Sequence, residues 1–278
     1  MLPQLFTVEA DTGMVSHCTT PRRRFIMLEQ QTIERLREMG LHGMLKGFHQ
    51  QQSAEYKQLS FEERIGLLID AEVAYRDSKK LGTRLRTAKL KHQACIENLN
   101  FRKQRGLDKT TLLQLASCQW VREHRNVLVT GPTGVGKTYV ACALAHKACQ
   151  QGFKAVYERA PRLFNTLAVA RADGSYSRLL GNFSKLDVLV IDDFGLLSLN
   201  DDMARDLLEI IDDRTDTRST VLASQLPHES WHDTISNPTL ADAILDRVVH
   251  KSYKLKLKGP SMRDPKEEEE MQNEVTEK

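Results

Sequence analysis

The sequence predicts an α/β fold in which a domain with a parallel sheet follows a small all-helical domain. From residue 126 onward, short apolar runs alternate with amphipathic runs, and such alternation implies parallel strands with helices on both faces of the sheet. Residues 28–98 show helical periodicity only, and Ser60 with Glu63 forms a capping box that starts one of the helices.

The elements and domains follow from the apolar period and the turn residues. Strands are predicted at residues 126–130, 153–158, 188–191, 220–223 and 252–257. Helices are predicted at residues 137–151, 161–170, 176–183, 203–213 and 239–250. We therefore expect a disordered leader (1–26), a helical N-terminal domain (27–98), an α/β domain (99–263) and a charged disordered tail (264–278).

Composition excludes several classes of protein. Hydrophobic residues make up 40% of the chain, which is enough to fill a core. No apolar run reaches the roughly 18 residues of a membrane span, and the first residues lack a signal-peptide core, so we expect a cytoplasmic protein without a membrane partner. The five cysteines lack CxxC and zinc-ligand spacing, which favours reduced thiols that serve packing.

A glycine-rich segment after the first predicted strand carries the strongest chemical signal. Gly131–Thr138 fits G-x-x-x-x-G-K-[ST], the Walker A pattern, whose backbone N–H groups and following helix N-terminus bind phosphates. The predicted ATP contacts are Gly131, Pro132, Thr133, Gly134, Val135, Gly136, Lys137, Thr138 and Tyr139. A chance glycine-rich turn is the alternative, but the strand before the segment and the helix after it argue against that reading.

The second half of this site is the run Val188–Asp193, in which four apolar residues end in an acid, the Walker B form. A buried parallel strand would carry Asp192 to the carboxyl edge of the sheet, where Asp192 and Thr138 would hold Mg²⁺. Lys137 is expected to reach the β- and γ-phosphates. Asp193 is expected to orient or polarise the attacking water, and the alternative is that it only caps the strand end.

Two further positions are candidates for catalysis. Ser224 and Gln225 directly follow the fourth predicted strand, and either side chain would sense the γ-phosphate if this strand lies between the two Walker strands. The alternative is a simple exit from strand to loop. Arg247, near the end of the last predicted helix, would stabilise the transition state in a neighbouring subunit, or else form a surface ion pair with Asp242 or Asp246. The predicted catalytic residues are therefore Lys137, Asp192, Asp193, Gln225 and Arg247.

Positive charge is concentrated before the α/β domain. The formal net charge is only +3, yet between residues 76 and 109 eleven Lys and Arg stand against three Asp and Glu. A basic helix face suits contacts with DNA phosphates, which give affinity without sequence choice. The predicted DNA-binding residues are Arg76, Lys79, Lys80, Arg84, Arg86, Lys89 and Lys91, and the helical domain of residues 27–98 is therefore expected to bind DNA or a partner. The alternative is a solvated face that only aids solubility.

Short stretches along most of the chain resemble one family. They are Leu41–Met44, Arg105–Asp108, Leu115–Cys118, Gly131–Tyr139, Arg159–Phe164, Ala172–Tyr176, Asp192–Leu196, Leu208–Arg214, Ala241–Arg247 and Gly259–Arg263. Together they resemble the IstB-type ATPases, the AAA+ helper proteins of insertion-sequence transposases. These helpers belong to the same clade as the DnaC-type helicase loaders.

The resemblance implies an AAA+ P-loop NTPase core that binds ATP with Mg²⁺ and hydrolyses it. It also implies a homo-oligomer on duplex DNA that recruits or stimulates a partner transposase, with Arg247 acting across the subunit interface. Gln225 stands where the family usually has Asn, and Phe194 stands where Trp is frequent. Arg263 matches an arginine of the family.

Two other functions remain open from the sequence. A helicase loader would use the same core, need its helicase and prefer single-stranded DNA. A P-loop kinase acting on a small molecule would need a lid and an acceptor pocket, for which the sequence offers no segment. The stretches Arg159–Phe164 and Ala172–Tyr176 favour the transposition helper.

Overall fold

The computed structural model describes residues 21–99, 106–259 and 261–262. They form two compact units, one ending at Lys79 and the other beginning at Lys80. The division falls within a long helix, before the domain boundary predicted at residues 98 and 99, because Leu81, Leu85 and Ala88 pack in the core of the second unit. Residues 1–20 and 264–278, which hold most of the predicted leader and the predicted tail, lie outside the described residues.

The first unit is helical. Its elements are α1 (Pro21–Glu38), α2 (His42–Gln50), a 3₁₀ turn (Ala54–Gln58) and most of α3 (Phe61–Ala88). Helix α1 thus begins before Met27, where the sequence pattern starts. Ser60 and Glu63 form the predicted capping box, with N–H to side-chain bonds of 2.7 Å and 3.2 Å. The N–H of Gly43 on α2 donates to the Glu72 carboxylate on α3 at 2.7 Å.

The second unit is the α/β domain, and its alternation of strands and helices is confirmed. Its strands are β1 (Asn126–Thr130), β2 (Ala155–Arg159), β3 (Val188–Phe194), β4 (Ser219–Ser224) and β5 (Ser252–Lys256). Its helices after α3 are α4 (Lys109–Ala116), α5 (Gln119–Arg122), α6 (Lys137–Gln150), α7 (Ala160–Ala172), α8 (Tyr176–Ser184), α9 (Asp201–Arg214) and α10 (Pro238–Val249). Over the described residues, no helix combines the length and the apolar character that crossing a bilayer requires.

The strands form one parallel sheet in the order β2–β3–β4–β1–β5. Strand β4 therefore lies between β1 and β3, as the sensor prediction requires. Strand β3 is longer than predicted, continuing to Phe194, and its pairing with β4 shifts register between Ile191 and Phe194. Since the strands are parallel, the segments that follow β1, β3 and β4 leave from the same edge of the sheet.

Each face of the sheet has its own core. On β3, Val188 and Val190 belong to the core that includes α6, whereas Leu189 and Ile191 belong to the core that includes α7, α9 and α10. The two-residue period of a strand sends successive side chains to opposite faces. Burial on both faces explains why residues 188–191 of this strand are an uninterrupted apolar run. The polar residues of β3 stand at its end, where the strand reaches the edge of the sheet.

Candidate nucleotide site

The Walker A segment forms the loop between β1 and α6 at the carboxyl edge of the sheet. Gly131, Gly134 and Gly136 have φ angles of 148°, 84° and 96°, a region that side chains disfavour. Gly136 directly precedes Lys137, the first residue of the 14-residue helix α6. The loop backbone and the positive end of α6 therefore meet at one point, which is the arrangement that phosphate binding requires.

The other residues of the segment have distinct surroundings. Pro132 and Thr133 are exposed, whereas Val135 is buried. The side chain of Lys137 is nearly buried, and its Nζ donates to the carbonyl oxygen of Pro132 at 2.7 Å. The ammonium group of Lys137 thus lies against the Walker A loop, and both are predicted to bind the phosphates of the nucleotide.

A cavity of about 180 Å³ lies beside this loop. It is lined by Asn98, Leu99, Leu107, Val135, Gly136, Tyr139, Val140 and Met262. A mostly apolar cavity next to a phosphate loop has the chemistry that a purine base needs. Tyr139 and Val135 therefore stand where contacts with the base, rather than with the phosphates, are expected.

Asp192 lies near the end of β3, next to the loop. It is only 1% exposed, and its Oδ2 accepts hydrogen bonds from the Thr138 hydroxyl at 2.8 Å and the Tyr157 hydroxyl at 2.7 Å. A hydroxyl oxygen beside a carboxylate is the oxygen donor set that Mg²⁺ prefers, so these residues fit the ion. Burial, followed by the hydrogen bond to Asp192, raises the pKa of the Tyr157 phenol, which therefore keeps its proton.

Asp193 departs from regular strand geometry. Its φ angle of 59° is in the left-handed region, at the point where the pairing of β3 with β4 shifts register. In this conformation its Oδ2 accepts a hydrogen bond of 2.7 Å from Nε of Arg159 at the end of β2. A cation therefore holds the carboxylate that is predicted to polarise water.

The two sensor candidates at the end of β4 have different partners. Ser224 is fully buried, and its hydroxyl donates to the carbonyl oxygen of Phe194 at 2.7 Å and accepts from the indole of Trp231 at 3.2 Å. Gln225 Oε1 accepts from the hydroxyl of Thr133 in the loop at 2.8 Å. Gln225 is therefore the candidate that contacts the loop, because Ser224 is bonded within the core.

Arg247 lies at the opposite edge of the sheet. Its carbonyl oxygen accepts from the side chain of Asn126, the first residue of β1, at 3.3 Å, whereas the Walker A loop leaves the far end of that strand, roughly 16 Å away. Its guanidinium donates to the carbonyl oxygen of Ala243 at 2.8 Å and pairs with Asp212 on α9. The ion-pair partner is thus neither of the two acids suggested by spacing.

The predicted DNA-binding residues differ in exposure and in bonding. Arg76, Lys79, Lys80, Arg86, Lys89 and Lys91 are exposed, whereas Arg84 is half-buried. Arg76 pairs with Glu72 one helical turn earlier at 2.7 Å. Nε of Arg84 donates at 2.9 Å to the carbonyl oxygen of Cys149 at the end of α6, which also accepts from the N–H of Gly152. Binding of DNA by these residues stays a prediction.

Tyr157 and Arg159 belong to this site, although no sequence motif assigns them a role. They lie two residues apart on β2, hence on the same face of the strand, and they hold Asp192 and Asp193 respectively. The sequence shows only three consecutive polar residues, Tyr157, Glu158 and Arg159, at a strand end. The pairing of β2 with β3 decides which groups they meet. Arg263, which the family resemblance singles out, lies outside the described residues.

A parallel sheet, a Walker A loop at its carboxyl edge and a buried acid bonded to the threonine of that loop define a P-loop nucleotide-binding protein with an AAA+ type of core. The chain belongs to the IstB-like ATP binding protein family, whose model matches residues 34–270. This match confirms the resemblance found in the sequence.

The chain is also similar to individual proteins whose names match this family. An insertion sequence ATP-binding protein of Sinorhizobium fredii is 47% identical over 238 residues, which cover 85% of this chain and 97% of that protein. The ATP-binding protein of insertion sequence IS1162 from Pseudomonas fluorescens is 48% identical over 203 residues, or 72% of this chain and 88% of that protein. The solved DnaC helicase loader matches with a TM-score of 0.51 and 19% identity over 62% of this chain and 100% of that chain, a likeness in fold alone.

Proposed function

We propose that this protein is a transposition helper that oligomerises on duplex DNA, hydrolyses ATP, and recruits or stimulates a partner transposase. The names of its relatives, which are ATP-binding proteins of insertion sequences, support the transposition role. ATP and DNA as ligands, together with the free thiols of the four cysteines among the described residues, fit a cytoplasmic location. The likeness to the DnaC loader concerns the fold, so a helicase loader is the weaker candidate.

Each polar group at the carboxyl edge has a distinct proposed task in ATP hydrolysis. Lys137 binds the β- and γ-phosphates, and Gln225 senses the γ-phosphate from the end of β4. Thr138 and Asp192 hold Mg²⁺, which neutralises phosphate charge when bound. Asp193 orients the attacking water once its carboxylate is no longer fully engaged by Arg159.

The position of Arg247 is the observation that carries the oligomer proposal. The Walker A loop follows the last residue of β1, whereas Arg247 lies beside Asn126, the first residue of that strand. This arginine is therefore too distant to serve the nucleotide of its own chain. A second subunit that docks its loop against this edge would receive the guanidinium at its γ-phosphate. A cavity of about 230 Å³ lies at the same edge, and its lining includes Arg218, Arg247 and Lys251 together with the acids Asp216 and Asp246.

Mixing two inactive variants tests this proposal. Lys137→Ala should abolish ATP binding, and Arg247→Ala should lower kcat by about a hundredfold or more while leaving ATP binding intact. When the two variants are mixed on duplex DNA, turnover should recover in part, because an intact loop then meets an intact arginine at some interfaces. Phosphate release is measured across a range of mixing ratios.

The outcomes separate the parts of the proposal. Each variant mixed only with itself provides the baseline for recovery. No recovery at any ratio would overturn the role of Arg247 across an interface, and unchanged ATP binding in Lys137→Ala would overturn the nucleotide site itself.

A further inference from the structure

We propose that Tyr157 is a positioning residue for Asp192, and that its hydroxyl sets the orientation in which this carboxylate receives nucleotide-bound Mg²⁺. The inference rests on the proposed function, because it requires Asp192 to hold the ion. It adds to the Walker motifs a residue from β2, a strand that carries neither of them.

The sheet brings the phenol to the acid. Tyr157 pairs in register with Val190 on β3, and Asp192 stands two residues further along the same face. The Tyr157 side chain is only 8% exposed, so packing confines its ring. Its hydroxyl donates to Asp192 Oδ2 at 2.7 Å, the length of a strong bond between a hydroxyl and a carboxylate.

This hydrogen bond selects the terminal side-chain torsion of Asp192, that is, the orientation of its carboxylate plane. The terminal torsion of an Asp side chain is broad, so the plane of its carboxylate has no strong intrinsic preference. Thr138 and Tyr157 both donate to Oδ2, which turns the other oxygen, Oδ1, away from these two donors. The two hydroxyls therefore select one orientation of the metal-binding group.

The two donors are not equivalent. The hydroxyl of Thr138 is itself expected to ligate the ion, so its bond to Asp192 changes when Mg²⁺ and nucleotide bind. Tyr157 lies on β2, outside the Walker A loop, and has no such second task. Its hydrogen bond is the one that holds the Asp192 carboxylate in place both before and after the ligands bind.

Removing one hydroxyl tests the inference. In Tyr157→Phe, the Mg²⁺ concentration for half-maximal binding of a fluorescent ATP analogue should rise about tenfold to a hundredfold, since a lost hydrogen bond to a charged group has an effect of that order. Nucleotide affinity measured in EDTA should stay within about twofold of wild type, because no ion is then held. Both quantities come from equilibrium titrations, independent of turnover.

Tyr253→Phe is the matched control. It removes a phenol hydroxyl from β5 of the same sheet, where the group bonds Arg125 at 3.2 Å, and the Mg²⁺ requirement should not change. If Tyr157→Phe loses affinity equally with Mg²⁺ and with EDTA, or if its Mg²⁺ requirement equals that of wild type, the positioning role is overturned.

A double variant covers the case in which Tyr157→Phe fails to fold. Asp192→Asn removes the buried charge, and Tyr157→Phe added to it should not raise the Mg²⁺ requirement further, because the group to be positioned has already lost its function. A further rise in the double variant contradicts the inference. Failure of the proposed function looks different: wild type itself would then show no effect of Mg²⁺ on nucleotide binding.

Discussion

Arg214, the last residue of α9, is 1% exposed, and it ties the end of α8 to the start of β4. Its guanidinium donates to the carbonyl oxygens of Phe183, Leu186 and Ser219 and to the hydroxyl of Thr220. Burial lowers the pKa of this group to about 9, so it is still charged near neutral pH. At the residue scale, one side chain thus donates to several buried acceptors where α8, α9 and β4 meet.

Truncating Arg214 should therefore destabilise the domain strongly. We expect Arg214→Ala to lower the free energy of unfolding by about 3–5 kcal/mol, because several buried acceptors lose their donor and a cavity remains. Urea denaturation followed by circular dichroism measures this loss. Arg205→Ala, an exposed arginine on the same helix, should change stability by less than about 0.5 kcal/mol, and equal effects of the two changes would refute the argument.

At the scale of elements, the end of α3 and the turn after it contain both basic side chains that pack against the fold and basic side chains that are exposed. Arg84 bonds the end of α6, so it contributes to packing. Arg86 and Lys89 are exposed. Burial raises the pKa of the Glu158 carboxyl, whereas the positive charges of Lys89 and Arg162 lower it, and burial has the larger effect.

Reversing the exposed charges of this segment should weaken binding to duplex DNA. For Arg86→Glu with Lys89→Glu, we expect the slope of log affinity against log salt to become shallower by about two, since each lost phosphate contact removes close to one unit. Fluorescence anisotropy with a labelled duplex at several salt concentrations measures the slope.

The control makes the same change in net charge elsewhere, at exposed Lys154 and Lys185 of the α/β domain, and should leave the slope unchanged. Equal slopes for wild type and the Arg86/Lys89 variant would rule these residues out as phosphate contacts. Tighter binding to single strands than to duplex DNA would favour the helicase-loader alternative.

On the scale of the whole molecule, thiol burial links stability to pH. Cys118, Cys142 and Cys149 are buried as free thiols, and burial raises the pKa of each, that of Cys118 to about 11 from an ordinary value of 9.0. The folded protein thus keeps thiol protons at pH values where the unfolded chain has lost them. The associated stability is complete below pH 9 and is lost as pH rises toward 11.

The free energy of unfolding should accordingly fall between about pH 8 and about pH 10. Urea denaturation under reducing conditions at the two pH values measures the difference. Cys142→Ala, on helix α6, should make the fall smaller because one titrating group is removed. An identical fall in the variant would show that other groups cause the pH dependence.

The order of elements and the Walker residues could be predicted from the sequence because both are local properties. A buried strand such as β3 is recognisable from an apolar run. The Walker A loop is recognisable from glycines whose backbone angles few other residues adopt. The position of Asp192 beside Thr138 also followed, since parallel strands end at the same edge.

The tertiary structure decided what depends on neighbours distant in sequence. Tyr157 lies 35 residues before Asp192, and only the pairing of β2 with β3 joins their side chains. In the same way, packing against α6 gives Arg84 a bond to the carbonyl oxygen of Cys149, and α9 supplies Asp212 as the partner of Arg247. Local patterns encode the backbone and its motifs, whereas the choice of partner for a long polar side chain is made by the three-dimensional packing.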